Sequence, residues 1–320
     1  MTLASRAYRT LRCRGWPHAV GEVAIAVSCG ASVYALAKMP GPGQVIGDYA
    51  LRSILGAGAT CEAFAAVDSR SGLPVALKVL RAEHLGHADV VFRFLNEALP
   101  ASLRAIRHSA IIEVYETSPP ASPYLYHAME LLHGSLAQRL RSGSLPIWLS
   151  LRLAGQIADA LATLHMHSIV HRDVKPSNIL VTDEPDDLLH AKLSDFGLAR
   201  LPDTEADAMP VSTAEGTRLG TPEYMPPEQW DDAREAEGSA DVYALGCSLY
   251  QLLTGQLPFR ADSDAQLRRQ HLLATPPSLP STTPLGIRQL VAEMMAKPAY
   301  RRPAAAEVAT RLEQSARGLR

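Results

Sequence analysis

Apolar and polar residues change their rhythm along this chain, and the changes divide it. From Val45 onward the apolar positions alternate with polar ones in short runs, which predicts strands over Asp48–Leu55, Cys61–Val67 and Pro74–Leu80. Two further short strands are expected near Ile111–Glu116 and Tyr124–Met129. Between them, Val91, Phe94, Leu95 and Ala98 recur at helical spacing within Ala88–Ala105, where Pro100 should bend or shorten the helix. Further along, Leu153, Ile157, Leu161 and Leu164 make one buried stripe. A second helix carrying Val242, Leu245, Leu249 and Leu252 is apolar nearly all round and should run through a core, with Asp241 opening it as an N-cap. The expected class is α+β: a small antiparallel sheet with one main helix, then a larger, mostly helical part.

Residues 1–46 do not share this patterning. Arg6, Arg9, Arg12 and Arg14 precede an Ala/Val-rich run from Val23 to Ala37, and a Pro/Gly stretch follows Lys38. The arrangement imitates a secretory leader, with Ala35-Leu36-Ala37 as a small-x-small site. The apolar run has fifteen residues, short of the about 20 a spanning helix needs. Three readings stay open: a disordered or loosely docked extension, a translated upstream region with the true start at Met39, or a membrane anchor.

Composition narrows the function classes. The net charge of −2 argues against broad nucleic-acid binding. The four cysteines (Cys13, Cys29, Cys61 and Cys247) form no CxxC pair and read as free thiols in a reducing, cytoplasmic setting, Cys247 as a small core residue. Lysine is scarce: Lys38, Lys78, Lys175, Lys192 and Lys297 are the whole set, beside 26 arginines. Lys78 and Lys175 therefore stand out.

The densest chemistry lies in His171-Arg172-Asp173-Val174-Lys175-Pro176-Ser177-Asn178-Ile179-Leu180, with Asp195-Phe196-Gly197 beginning seventeen positions after Asn178. Phosphoryl transfer needs a carboxylate to orient the attacking hydroxyl, cations to spread charge and oxygen ligands for metal. Asp173 serves the hydroxyl, Lys175 the phosphate oxygens, and Asn178 and Asp195 a metal. The pair of motifs resembles the catalytic loop and metal-binding motif of the eukaryotic-type serine/threonine protein kinases, most of all the bacterial members. The resemblance runs from Asp48 to roughly Leu312 and implies a bilobal fold, with residues 47–132 as the small lobe and 133–318 as the large one.

Further residues take roles from that resemblance. Val75-Ala76-Leu77-Lys78 on the third strand matches the family's phosphate-binding lysine, and Glu97, nineteen residues on, matches the glutamate that pairs with it. Leu55-Gly56-Ala57-Gly58-Ala59-Thr60-Cys61 resembles the glycine-rich hairpin that covers ATP, but Cys61 stands where the family has glycine, and its thiol is expected at the exposed tip. Met129-Glu130-Leu131-Leu132 resembles the hinge: the backbone of Glu130 and Leu132 would bond adenine, Leu55, Ala76 and Leu180 would sandwich it, and Met129 would guard the inner pocket. In the large lobe, Glu228 of the P-P-E triplet would pair with Arg302, and Asp241 would also fix the catalytic loop's backbone. Arg172 and Arg200 would receive a phosphate presented by Thr217, with Ser212 and Thr213 as second choices, ahead of Thr221.

The implied function is an active protein serine/threonine kinase that uses ATP and Mg2+ (or Mn2+), acts on protein Ser/Thr hydroxyls, and autophosphorylates through a transient homodimer. No nucleic acid or membrane partner is implied. The rival classes are a pseudokinase scaffold, which would lack one of Lys78, Asp173, Asn178 or Asp195, and a small-molecule phosphotransferase, which would usually lack the Thr221–Glu228 segment.

Overall fold

Strands form where the alternation is cleanest. The computed structural model describes residues 39–319 apart from 88–89, 92–93, 96–105, 120–121, 183–188, 197–198, 200–220 and 231–236. In chain order, β1 (Val45–Ile46), β2 (Tyr49–Ala57), β3 (Cys61–Asp68), β4 (Pro74–Leu80), β5 (Val114–Thr117) and β6 (Tyr126–Glu130) make a six-stranded sheet of order β1-β2-β3-β4-β6-β5. The first four strands pair antiparallel in sequence, with Ala63 opposite Lys78 and Ala65 opposite Ala76. Along β4, Val75, Leu77 and Val79 are buried while Ala76 and Lys78 share the other, half-buried face. The period of two thus puts the lysine and the small residue ahead of it on one side of the sheet.

The chain divides into two compact units, changing from one to the other between Ala128 and Met129. The smaller holds two apolar clusters. Tyr49, Leu51, Phe64, Val75, Leu77 and Val79 pack in one; Cys61, Leu80, Leu85, Val91, Phe94 and Leu125 pack in the other. Cys61 is only 8% exposed, which corrects the expectation of an exposed thiol. The hairpin turns at Gly58–Thr60, so Cys61 is already in the ladder opposite Leu80, and its side chain faces inward. Arg70 ties the β3–β4 turn to β5 through Glu116 at 2.8 Å and to β2 through the Tyr49 hydroxyl at 2.9 Å.

The larger unit is mostly helical. It contains α1 (Leu136–Arg139), α2 (Ile147–Met166), α3 (Gly238–Thr254), α4 (Asp264–Leu273), α5 (Leu285–Met294) and α6 (Ala305–Arg317). A three-stranded sheet of β7 (Gly134–Ser135), β8 (Ile179–Val181) and β9 (Ala191–Leu193) completes it. Helix α2 buries Leu149, Leu153, Ile157, Leu161 and Leu164 as one stripe, and α6 packs on it. Thirteen of the residues of α3 are buried, so it is the core helix its composition predicts. At Gly246 a Cβ would meet Met294 Cβ at 2.9 Å, so only glycine allows α5 to lie this close. Where the sequence pattern opens α3 at Asp241, the helix begins three residues earlier at Gly238, with Glu237 in the cap position. Asp241 is therefore no N-cap, and its carboxylate is available for other work.

Candidate active site

Asp241 spends that carboxylate on the loop between α2 and β8. It is fully buried, and it accepts from the His171 amide at 2.9 Å, the Arg172 amide at 2.8 Å and His165 Nε2 at 2.8 Å. Two amides converging on one carboxylate hold Arg172 at φ +67°, a left-handed conformation that a long L side chain adopts under constraint. The Gln229 side-chain amide donates to the Arg172 carbonyl at 3.3 Å, tying this loop to the P-P-E segment. His171 does double duty. Its Nδ1 accepts from the Asp173 amide at 3.3 Å and its Nε2 donates to the Ser194 carbonyl at 3.1 Å, which fixes the Nε2–H tautomer. The ring also meets the buried Phe196 ring edge-on, centroids 4.9 Å apart, linking the loop to Asp195-Phe196. Asp195 itself sits at φ +68°.

Around Asp173 the donors can be counted. Asn178 Nδ2 donates to its Oδ2 at 2.9 Å, Lys175 Nζ lies 2.7 Å from the same oxygen, and the Thr221 hydroxyl donates to Oδ1 at 3.0 Å. Lys175 also bonds the Thr221 hydroxyl. A carboxylate offers about four acceptor positions, so these three bonds leave one for an incoming hydroxyl. Lys175 and Thr221, forty-six positions apart in sequence, thus converge on the carboxylate expected to act.

Asn178 has its nitrogen committed twice, to the Asp173 carboxylate and to the Asp173 carbonyl at 2.9 Å. That leaves Oδ1, which accepts only a long bond from the Ser177 hydroxyl at 3.5 Å, as its oxygen donor for a cation, and Asp195 adds a carboxylate. Hard oxygen donors of this kind fit Mg2+. Among the described residues there is no cluster of three or more His, Cys, Asp or Glu. A magnesium ion bound together with nucleotide phosphates needs only one or two protein carboxylates, so the donor set is adequate.

Behind the P-P-E triplet, Arg302 grips Glu228 with both nitrogens, at 2.6 and 2.9 Å, and donates further to the carbonyls of Ala296, Lys297 and Ser239. Its guanidinium lies 4.9 Å over the Tyr243 ring. Burial pulls the neighbouring Lys297 ammonium down to about 8 and His271 down to about 3. His271 is bonded through Nδ1 to the Tyr243 hydroxyl at 2.9 Å, and Lys297 stands 4.3 Å over the Phe259 ring. Burial pushes the Cys247 thiol up to about 12, in keeping with a core residue.

Met129, Glu130 and Leu132, expected at the hinge, all belong to the larger unit. The Glu130 amide is taken by the Glu113 carbonyl at 2.9 Å, so Glu130 can offer a base only its carbonyl. Its side chain pairs with Lys192 at 2.8 Å. Leu132 is buried and Leu180 half-buried on β8. In the smaller unit, Leu55 is exposed, Gly56 and Gly58 lie at the hairpin, and Lys78 and Ala76 share a face of β4. Glu97, Arg200 and Thr217, like Ser212 and Thr213, lie outside the described residues.

The pattern of the protein kinase domain family matches residues 49–311. This chain belongs to that family. The kinase domain is 37% identical over 262 residues to the serine/threonine-protein kinase PkaA of Streptomyces coelicolor, covering 81% of this chain and 46% of the relative. It is 36% identical over 249 residues to the serine/threonine-protein kinase Pkn1 of Myxococcus xanthus, covering 78% and 35%. Against the serine/threonine-protein kinase PknA of Mycobacterium tuberculosis it is 33% identical over 262 residues, covering 80% and 58%. The chain thus spans about half the length of the curated relatives it matches. The fold class expected from the sequence, a small antiparallel-sheet lobe and a larger helical lobe of protein-kinase type, is the one found. A kinase domain uses ATP and a divalent metal ion, and no described helix is long and apolar enough to cross a membrane.

Several contributors gave no separate signal in the sequence. His165, Ser194 and Gln229 hold the loop through single bonds to backbone or to Asp241. His171 stands inside the motif, but its structural role is visible only from its two ring partners.

Proposed function

We propose that this chain is an active serine/threonine protein kinase that transfers the γ-phosphate of ATP to Ser or Thr hydroxyls of protein substrates. The observation that carries the proposal is the set of three bonds on Asp173, which orients one carboxylate and leaves one acceptor position for a hydroxyl proton. Asp173 aligns the attacking oxygen and takes its proton; Lys175, beside it, stabilises charge gathering on the transferred group. Asn178 and Asp195 would hold Mg2+, which when bound draws charge from the phosphate oxygens. Lys78, paired with Glu97, would hold the nucleotide's α/β-phosphates. By the family resemblance, Leu55, Gly56, Gly58 and Ala76 would contact the nucleotide, and Met129, Glu130, Leu132 and Leu180 would receive the base. Thr221, seated on Asp173 and Lys175, favours a Ser/Thr substrate reading because its hydroxyl keeps the lysine beside the reacting carboxylate.

Activation by phosphate on Thr217, received by Arg172 and Arg200, follows the same reading, as do a transient homodimer for trans-autophosphorylation and a cytoplasmic site of action. The organisation read from the sequence, an extension over residues 1–46, a small lobe over 47–132 and a large lobe over 133–318, is part of the proposal, although Val45–Ile46 already pairs with β2 and Met129–Leu132 group with the larger unit. Labelled ATP and a generic protein substrate test the proposal. Wild type should transfer label to Ser or Thr and Asp173→Ala should not; label transfer by both, or by neither, would overturn it. Mass spectrometry after incubation with Mg-ATP should find phosphate on Thr217 or its neighbours in the wild type and none in Asp173→Ala.

A further inference from the structure

The tip of the glycine hairpin is held from behind by two side chains outside the family motifs. Arg81 follows β4 directly, and its backbone amide donates to the Thr60 carbonyl at 2.9 Å. Its Nε donates to the Gly58 carbonyl at 3.0 Å, while the end of its guanidinium pairs with Glu62 on β3 at 2.8 Å. His84, in the short 3-10 turn Ala82–His84, donates Nε2–H to the Ala59 carbonyl at 3.0 Å. Three consecutive carbonyls, those of Gly58, Ala59 and Thr60, are therefore captured by one short segment. Both side chains are about a quarter exposed, so the bonds lie in partly sheltered ground.

Peptide planarity gives this capture a consequence. In a trans peptide the N–H points opposite to the C=O of the same unit. Turning the carbonyls of Gly58 and Ala59 toward Arg81 and His84 turns the amides of Ala59 and Thr60 to the opposite side. Successive backbone amides aimed one way make a concavity for an anion. The Gly58 amide is spent inside the hairpin, on the Cys61 carbonyl at 2.8 Å, and closes the turn. Cys61 completes the fixation by burying its side chain among Leu80, Leu85, Val91, Phe94 and Leu125. A hairpin with glycine at that position would have no such anchor.

We propose that Arg81 and His84 are positioning residues for the nucleotide phosphates: they hold the carbonyl side of the hairpin tip so that its amides are already aimed when ATP arrives. This rests on the kinase reading above and deepens it. Neither side chain is assigned contact with the nucleotide; they act through the backbone of Gly58, Ala59 and Thr60. The device replaces the freedom of a third glycine with a preset loop, so ordering cost is met in folding and not in binding.

The test compares ligands that carry phosphates with one that does not. In the full chain, dissociation constants for Mg-ATP, Mg-ADP and adenosine are measured by titration calorimetry for wild type, Arg81→Lys, Arg81→Gln, His84→Ala and His84→Gln. Losing one such hydrogen bond should weaken ATP and ADP about five- to tenfold in Arg81→Gln and His84→Ala. Adenosine affinity should be unchanged. Arg81→Lys keeps the charge for Glu62 but not the Nε donor, and should weaken ATP too; His84→Gln keeps a donor and should restore most of the affinity. The KM for ATP should rise in step while the KM for protein substrate holds. Equal weakening of ATP and adenosine would mean a general structural role and would overturn the proposal, as would ATP affinity unchanged in all variants. Wild type that binds neither nucleotide would overturn the kinase reading and the clamp with it, whereas a normal wild type with indifferent variants would overturn the clamp alone.

Discussion

The catalytic loop of the larger unit and the glycine hairpin of the smaller one are both stretches of backbone held in a set shape, and they are held by opposite means. The loop is fixed by deeply buried polar groups: Asp241 takes two backbone amides and a histidine, and His171 is bonded at both ring nitrogens. The hairpin is fixed by two partly exposed side chains acting on carbonyls and by one small buried residue. Buried polar contacts are costly to break because the surviving partner is orphaned, whereas sheltered surface contacts cost about 1 kcal/mol each. The region proposed to handle a proton is thus made rigid. The region proposed to cover phosphates is tuned by contacts weak enough to yield.

The largest effect that sharpens this contrast is chemical. Asp173→Ala should lower phosphotransfer on the order of 10³-fold, the scale of a lost general base, while the thermal midpoint moves little, since Asp173 is not fully buried. Next comes the structural pair behind the loop. Glu228→Ala should cost about 3 kcal/mol in denaturant melts, because it strands the buried Arg302, whereas the double change Glu228→Met, Arg302→Met should cost less than that single change. Asp241→Asn keeps the shape and loses one acceptor. It should cost about 2 kcal/mol of stability and lower kcat while the KM for ATP holds, the reverse of the pattern expected at Arg81. If instead Asp241→Asn raised the KM for ATP alone, the contrast between the two regions would fail.

Buried polar groups also make the larger unit acid-sensitive. His271 is held near 3 by burial, against 6.5 for the unfolded chain. A base with a depressed folded pKa binds its proton in the unfolded state first, so its contribution is complete above 6.5 and is lost as pH falls from there toward 3. Between pH 6.5 and 5.5 this one group should remove about 1 kcal/mol. His271→Gln, which can keep the bond to Tyr243, should flatten that part of a pH series of denaturant melts; an unchanged slope would remove His271 as its source. The smallest effect is at the hairpin. Cys61→Gly should cost about 1 kcal/mol through lost burial and added backbone freedom, and alkylating reagents should leave native wild type active at concentrations that modify the unfolded chain.

How much of this was legible in the sequence depends on where each interaction keeps its information. Asp173, Lys175 and Asn178 lie within six consecutive positions, so their chemistry is written as a short string. Lys78 is legible through strand phase, because a period of two assigns its face. Cys61 is recognisable as a position but is misread in orientation, and Asp241 is misread as a cap although its hold on the loop's backbone is the expected one. A linear pattern cannot tell a cap from a carboxylate three residues inside a helix, nor a hairpin tip from the first residue of its ladder. Strands as short as β7, β8 and β9, of two or three residues each, are too brief to display any period. Arg81 and His84 left no signal at all. Their partners are backbone carbonyls, which every residue possesses and no residue letter records.

The Glu228–Arg302 pair also fixes an order of events during synthesis. Its two ends are separated by 74 positions, and α6, which covers α2, comes later still. A ribosome that has just delivered Glu228 has yet to make α3, α4 and α5, so the nascent carboxylate waits in water while the rest is translated. At bacterial elongation speeds of roughly 5–20 residues per second, that wait lasts on the order of seconds. During this time the segment Thr221–Glu228 lacks its permanent anchor, and it gains that anchor only after α3, α4 and α5 have been made.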